Sequence, residues 1–180
     1  MLSDHSKQLL QAQLIRHEGL KTEIYRCSAG RRTIGVGRNL DDKGLSIEEA
    51  AWLLENRGRS DQAKKVLQYG ISQRSQIALL DKGITIAEAQ TLLAHDIDET
   101  CQQLNNELPV YLILDQCRRR VLVNMAFNLG VNGLMKFKNM LAALANRDFN
   151  RAAVEMLDSK WARQVGKRAE ELARQMETGQ

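Results

Sequence analysis

A chain of 180 residues with 43% hydrophobic and 27% charged residues has the make-up of one folded domain, and it excludes a disordered protein. The net charge of +4 and pI of about 9.1 suit an anionic partner, but aromatics at 4% are too few for base-stacking platforms, and no zinc-finger spacing occurs, so nucleic acid is disfavoured. A single proline, Pro109, leaves helix formation almost uninterrupted.

The N-terminal MLSDHSKQLLQAQ lacks the basic start and apolar stretch of a signal peptide, and no apolar run reaches membrane-spanning length. The expectation is a protein made in a cytosol, without its own export signal or stable membrane association. SKQLLQAQLIRHEG reads as a helix, with Leu10, Leu14 and Ile15 on one stripe, Ser3 or Ser6 to cap it and Gly19 to end it. EIYR, SAG and RRTIGVG then read as two short strands around a turn, with Ile34 and Val36 on one face and Thr33 on the other.

From residue 40 a repeat appears. LDDKGLSIEEAAWLLE (40–55) matches LLDKGITIAEAQTLLA (79–94), with Asp, Lys, Gly, Ile, Glu, Ala, Leu and Leu recurring in order. Ser46 stands three residues before Glu49, and Thr85 three before Glu88. That is the capping box, in which each side chain satisfies a free backbone N–H at a helix start. A fainter copy, GISQRSQIALL (70–80), lacks the Glu. Two full copies are too few for a solenoid. The sequence leaves two readings open: one copy rides as an insertion, or the copies compete for one place.

Beyond residue 95 the pattern is helical throughout, in HDIDETCQQLNNEL, LILDQCRRRVLVNMAFNLG, FKNMLAALANRD, NRAAVEMLDSKWARQV and KRAEELARQME. Val121, Met125 and Leu129 form one predicted core stripe, and Phe149, Ala153, Met156, Leu157 and Trp161 another. The predicted organisation is a small mixed lobe over 16–95 and a helical lobe over 96–180 packed with the N-terminal helix, the two joined by a helix over 95–107. Cys27, Cys101 and Cys117 are odd in number and have no metal-like spacing, which fits a reducing compartment and no metal.

Chemistry gathers in HEGLKTEIYRCSAGRRTIGVGRNL (17–40). Glu18 stands at a helix C-terminus, where the dipole disfavours carboxylate charge and suits a general acid. Eight residues separate it from Cys27, and five more separate Cys27 from Thr33. Arg26, Arg31 and Arg32 surround the thiol in sequence, and nearby cations lower a thiol pKa. The thiol is open to three roles: standing in for a carboxylate, attacking a sugar, or merely filling space.

This segment resembles the active-site segment of the tailed-phage, T-even-type lysozymes, whose pattern is Glu, eight residues, Asp or Cys, five residues, Thr. The resemblance resumes in RRRVLVNMAFNLGVNGLMKFKNMLAAL and NRAAVEMLDSKWARQVGKRAEELARQMETG. It implies a two-lobed lysozyme-like α+β fold, mainly helical, with a small N-terminal hairpin lobe and a helical C-terminal lobe. It implies hydrolysis of the β-1,4 bond between N-acetylmuramic acid and N-acetylglucosamine in peptidoglycan, with no cofactor. By position, Glu18 is then the general acid, Cys27 takes the place where many members have Asp, and Thr33 helps hold water or substrate. Arg38, Leu40, Phe127 and Asn128 match substrate-binding positions, Arg38 standing where some members have His. Arg168 matches an arginine placed near the acid, which would oppose the dipole's effect on Glu18.

The implied protein is a monomeric endolysin. It accumulates in the host bacterial cytoplasm and reaches the wall through a membrane lesion, and the chain's end at Gln180 favours a free enzyme over a virion-borne one. Two readings compete with it. A lysozyme-like protein that binds wall glycan without cutting it shares every motif and differs only in turnover. A basic nucleic-acid module predicts salt-dependent DNA binding, but the basic residues are scattered among acidic ones.

Overall fold

The computed structural model describes residues 2–180. The protein is mainly helical, with one three-stranded antiparallel sheet, the α+β class that the sequence predicts. Helix α1 (Asp4–Glu18) leads into strands β1 (Lys21–Arg26), β2 (Arg32–Gly35) and β3 (Arg38–Asn39). Helices α2 (Ile47–Asn56), α3 (Ser60–Tyr69), α4 (Gln73–Leu80) and α5 (Ile86–Glu107) follow. The chain divides into two units, Leu14–His95 and Asp96–Gln180 with the N-terminal residues up to Gln13, and the division falls inside α1 and α5.

In α1 the Ser3 hydroxyl accepts the Ser6 N–H at 3.2 Å, and Leu10 and Leu14 are fully buried. The sheet order is β1-β2-β3, with Tyr25 opposite Thr33 and Thr33 opposite Asn39. The sequence does not reveal β3, because two residues are too few for an alternating pattern. Ile34, Leu40, Leu45, Leu53, Leu80 and Leu92 are among the buried residues of this unit's core.

Both full repeat copies form their capping boxes. Ser46 Oγ accepts the Glu49 N–H at 3.1 Å, and Glu49 Oε2 accepts the Ser46 N–H at 2.9 Å. Thr85 Oγ1 accepts the Glu88 N–H at 3.1 Å, and Glu88 Oε2 accepts the Thr85 N–H at 2.7 Å. Each cap glutamate is also gripped by an arginine that donates to the carbonyl of the repeat's glycine. Arg38 binds Glu49 and the Gly44 carbonyl; Arg57 binds Glu88 and the Gly83 carbonyl. The glutamates and glycines are equivalent in the repeat, but the arginines are not, so similar clamps arise from different parts of the chain.

The copies differ one residue after the glycine. The Ile84 N–H bonds the Thr22 carbonyl of β1 at 2.8 Å, so the second copy abuts the sheet. In the first copy the Gln76 side-chain amide takes that role, accepting from the Leu45 N–H at 2.8 Å and donating to its carbonyl at 3.1 Å. Neither copy displaces the other. The fainter copy is α4, capped by Ser72, whose hydroxyl accepts the Ser75 N–H at 3.2 Å.

Gly83 makes a test of this junction. Its φ is +78°, and an added Cβ would lie 2.7 Å from the Thr22 carbonyl oxygen. Gly58 has a similar φ of +69° with open space around it. Gly58→Ala is expected to cost about 1 kcal/mol through the left-handed backbone alone. Gly83→Ala should cost about 2 kcal/mol or more, since the clash sits on backbone that carries the Ile84 bond. Urea denaturation of both variants checks the order, and equal losses would mean that the junction yields freely.

In the other unit, α5 continues to Glu107 where the sequence suggested a new helix at 95. No Gly or Pro lies between 86 and 107, and nothing else there ends a helix. Pro109 opens a 3-10 turn to Ile113, and Asp115 caps α6 (Gln116–Leu129) by accepting the Arg118 N–H at 2.9 Å. Short α7 (Val131–Leu134) and α8 (Lys138–Ala145) follow. The stretch predicted as one helix from 150 is two, α9 (Phe149–Leu157) and α10 (Lys160–Val165), before α11 (Lys167–Thr178). Ser159 makes the break by capping α10, its hydroxyl accepting the Ala162 N–H at 3.0 Å. Leu157 is therefore exposed, while Ala153, Met156 and Trp161 are buried as predicted. Among the described residues, no helix is long and apolar enough to cross a membrane.

Candidate active site

Glu18 is the last residue of α1 and is half-buried. The β2–β3 turn approaches it closely: a methyl group built on the Gly37 Cα would lie 3.7 Å from Glu18 Oε2. A strand turn thus packs its backbone against the carboxyl at the helix end.

Cys27 follows β1 directly, its N–H bonded to the Arg31 carbonyl at 3.0 Å and its carbonyl accepting the Gly30 N–H at 2.8 Å. The thiol is half-buried, and its pKa lies below the ordinary value. The backbone N–H of Arg31 is the first cause, then that of Ala29; desolvation opposes them, and the Thr33 hydroxyl adds to the lowering. Hydrogen bonds to the sulfur stabilise its charged form relative to the thiol. The arginine charges expected to do this are occupied elsewhere. Arg26 Nη1 donates to the Gly30 carbonyl at 2.6 Å, Arg31 pairs with Asp42, and Arg32 Nε donates to Asp41 at 2.7 Å. Thr33 is buried, and its hydroxyl also lies 3.1 Å from the Arg31 carbonyl. With one proton to give, it serves that carbonyl or the sulfur, but not both.

Tyr25 is a residue the sequence reading passed over. It is two positions before Cys27 and directly opposite Thr33, so the three side chains share one face of the hairpin. Its phenol lies above its ordinary pKa, through burial first and then the charges of Glu18 and Cys27. The period-2 alternation of a strand was the signal that could have found it.

Arg38 and Leu40 take inward places. The Arg38 side chain is 2% exposed, with Nη1 2.5 Å from Glu49 Oε2 and Nη2 2.8 Å from Oε1. Leu40 is buried in the core cluster. We assign both to holding β3 and α2 together. Phe127, Asn128 and Arg168 belong to the second unit. Phe127 is half-buried, and Asn128 is exposed with its Oδ1 accepting the Trp161 indole N–H at 2.9 Å. Trp161 stands edge-on to Phe137 at 6.0 Å between centroids. Arg168 is buried, its Nε and Nη2 donating to Asn124 Oδ1 at 3.0 and 2.8 Å. Among the described residues there is no group of three or more His, Cys, Asp or Glu side chains that could hold a metal ion.

A mainly helical α+β protein with a carboxyl at a helix end, beside a hairpin carrying thiol and hydroxyl, is of the lysozyme type. The chain belongs to the phage lysozyme family, whose model matches residues 15–178. It is similar to "Probable T4-type lysozyme 2" of Dictyostelium discoideum, 28% identical over 173 residues covering 94% of each chain. It is 24% identical over 168 residues to "Probable T4-type lysozyme 1" of the same organism, covering 90% of this chain and 89% of that one. It is also 28% identical over 181 residues to the pre-baseplate central spike protein of Enterobacteria phage T4. That match takes in 98% of this chain but only 29% of the spike protein.

Proposed function

We propose that the protein is an N-acetylmuramidase, hydrolysing the β-1,4 bond between N-acetylmuramic acid and N-acetylglucosamine in peptidoglycan, and that it acts as an endolysin. The observation that carries the reading is the juxtaposition of Cys27 and Thr33 on one hairpin face, at the family's spacing from Glu18. Glu18 protonates the leaving glycosidic oxygen. Cys27, held toward the thiolate by two N–H groups and a hydroxyl, supplies the negative charge that a second carboxylate gives other glycosidases. Thr33 and Cys27 together hold the attacking water. Phe127 and Asn128 are proposed as substrate-binding residues and Arg168 as a supporting one, at the positions that the family resemblance assigns them. The net charge of +4 favours encounter with anionic wall polymers. We place its action at the wall, as a monomer, after release through a membrane lesion made by another protein.

The thiol's part is tested by substitution. Cys27→Asp restores a carboxylate and should keep activity within about tenfold, while Cys27→Ala removes the anion and should lose about 100-fold or more. Clearing of a purified peptidoglycan suspension gives the rates. An alanine variant as fast as the parent would reduce Cys27 to a spacer. Mass spectrometry of the released fragments identifies the bond, because a muramidase leaves muramic acid at the reducing end.

A further inference from the structure

The face shared by Cys27, Thr33 and Tyr25 holds two groups that the hydrolytic step does not use. One is the phenol of Tyr25. Its ring is half-buried, but its hydroxyl has no hydrogen-bond partner within the protein among the described residues. The other is the ammonium of Lys21, which lies 4.2 Å from the centre of the Tyr25 ring. Lys21 is exposed, and its charge has no carboxylate partner among the described residues. A lysine normally leaves its four-carbon stem free in water; here the aromatic face fixes its head beside the site.

We infer that Lys21 and Tyr25 form a substrate-contacting pair that selects for the peptide-bearing muramic acid of wall glycan, with the phenol hydrogen-bonding a sugar oxygen and the ammonium meeting a carboxylate of the linked peptide. The inference rests on the hydrolase reading above. A polysaccharide of neutral N-acetylglucosamine offers hydroxyl and amide oxygens alone. A strand with muramic acid adds the carboxylates of its lactyl-linked peptide. Tyr25 can serve both polymers, because a phenol, which keeps its proton at neutral pH, donates to any sugar oxygen. Lys21 distinguishes them, because only the acidic strand repays its charge. The pairing lets an exposed cation act with direction: ring and stem hold the ammonium in one region, so less side-chain freedom is lost on binding.

The test uses the full chain carrying Glu18→Gln, so that binding is measured without turnover. The probes are soluble peptidoglycan strands and a chitooligosaccharide of equal length, with affinity read by NMR titration at low and high salt. Tyr25→Phe keeps the ring under Lys21 and removes only the hydroxyl. It should weaken both ligands by about three- to tenfold, the worth of a neutral hydrogen bond. Lys21→Met keeps an apolar stem and removes the charge. It should weaken the acidic strand by about two- to fivefold at low salt, leave the chitooligosaccharide unchanged, and flatten the salt dependence. Parent-like affinities in both variants, with unshifted Tyr25 ring signals on titration, would overturn the inference. Equal loss on both polymers with Lys21→Met would remove its selectivity. Failure of the hydrolase reading shows separately, as a parent chain that releases no fragments from purified peptidoglycan.

Discussion

Replacing Glu18 by glutamine is expected to slow wall clearing by a factor of about 100 to 10 000, the usual contribution of a general acid. The fold should be untouched. Glutamine keeps the shape of the side chain, so the approach of Gly37 to the helix end survives, and the position is half-buried rather than sealed. What is lost is the proton. An amide cannot protonate the departing sugar oxygen, and the Thr33 hydroxyl is far too weak an acid to replace it. Turbidity decay of purified peptidoglycan measures the rate, and circular dichroism with thermal unfolding controls for structure. Clearing within about threefold of the parent would remove Glu18 from the chemistry, whatever the family spacing suggests.

The parts of this site that sequence made legible are those with a local physical signature. The helix end before Gly19, the hairpin turn and both capping boxes each depend on residues close together in the chain, and each formed as the pattern predicts. The exact neighbours of the thiol were not legible. Three arginines flank Cys27 in sequence, yet its environment is made by backbone N–H groups, because the turn from 27 to 31 curls its amides toward the sulfur. Arg38 and Leu40 illustrate a second limit. Position in a motif says which residue stands where, but not which way its side chain points. In a strand of two residues next to a turn, alternation offers no guide. The break at Asp158–Ser159 was written in the sequence as a serine cap, but the apolar stripe running across it masked the signal.

The buried pair of Arg38 and Glu49 should carry the largest stability effect in the Leu14–His95 unit. Arg38→Met is expected to cost about 3 to 5 kcal/mol at neutral pH, because it leaves a carboxylate in the core without its partner. The two side chains are 2% and 7% exposed, so solvent cannot take the arginine's place. The remaining bonds to Glu49, from the Ser46 N–H at 2.9 Å and from His95 Nδ1 at 3.1 Å, offset only part of the loss. The equivalent pair, Arg57 with Glu88, is longer at 3.3 Å, and its arginine is 23% exposed, so Arg57→Met should cost distinctly less. The pH dependence separates charge from packing. Burial pushes the Glu49 pKa up, but Arg38, the Ser46 N–H and His95 overcome it and hold the carboxyl down at about 2, against an ordinary 4.5. A pKa depressed in the folded state adds stability that is complete above the unfolded value and is lost as pH falls from about 4.5 to about 2. The span corresponds to about 3 kcal/mol. Urea denaturation at pH 7 and near pH 2.5 should therefore show a wide gap between parent and Arg38→Met that narrows in acid, where protonated Glu49 no longer needs a cation. Glu49→Leu added to Arg38→Met should recover part of the neutral-pH loss by removing the stranded charge, though it also removes half of the capping box. A gap that stays constant with pH would mean that the arginine contributes by filling space, and the clamp would then be packing rather than charge.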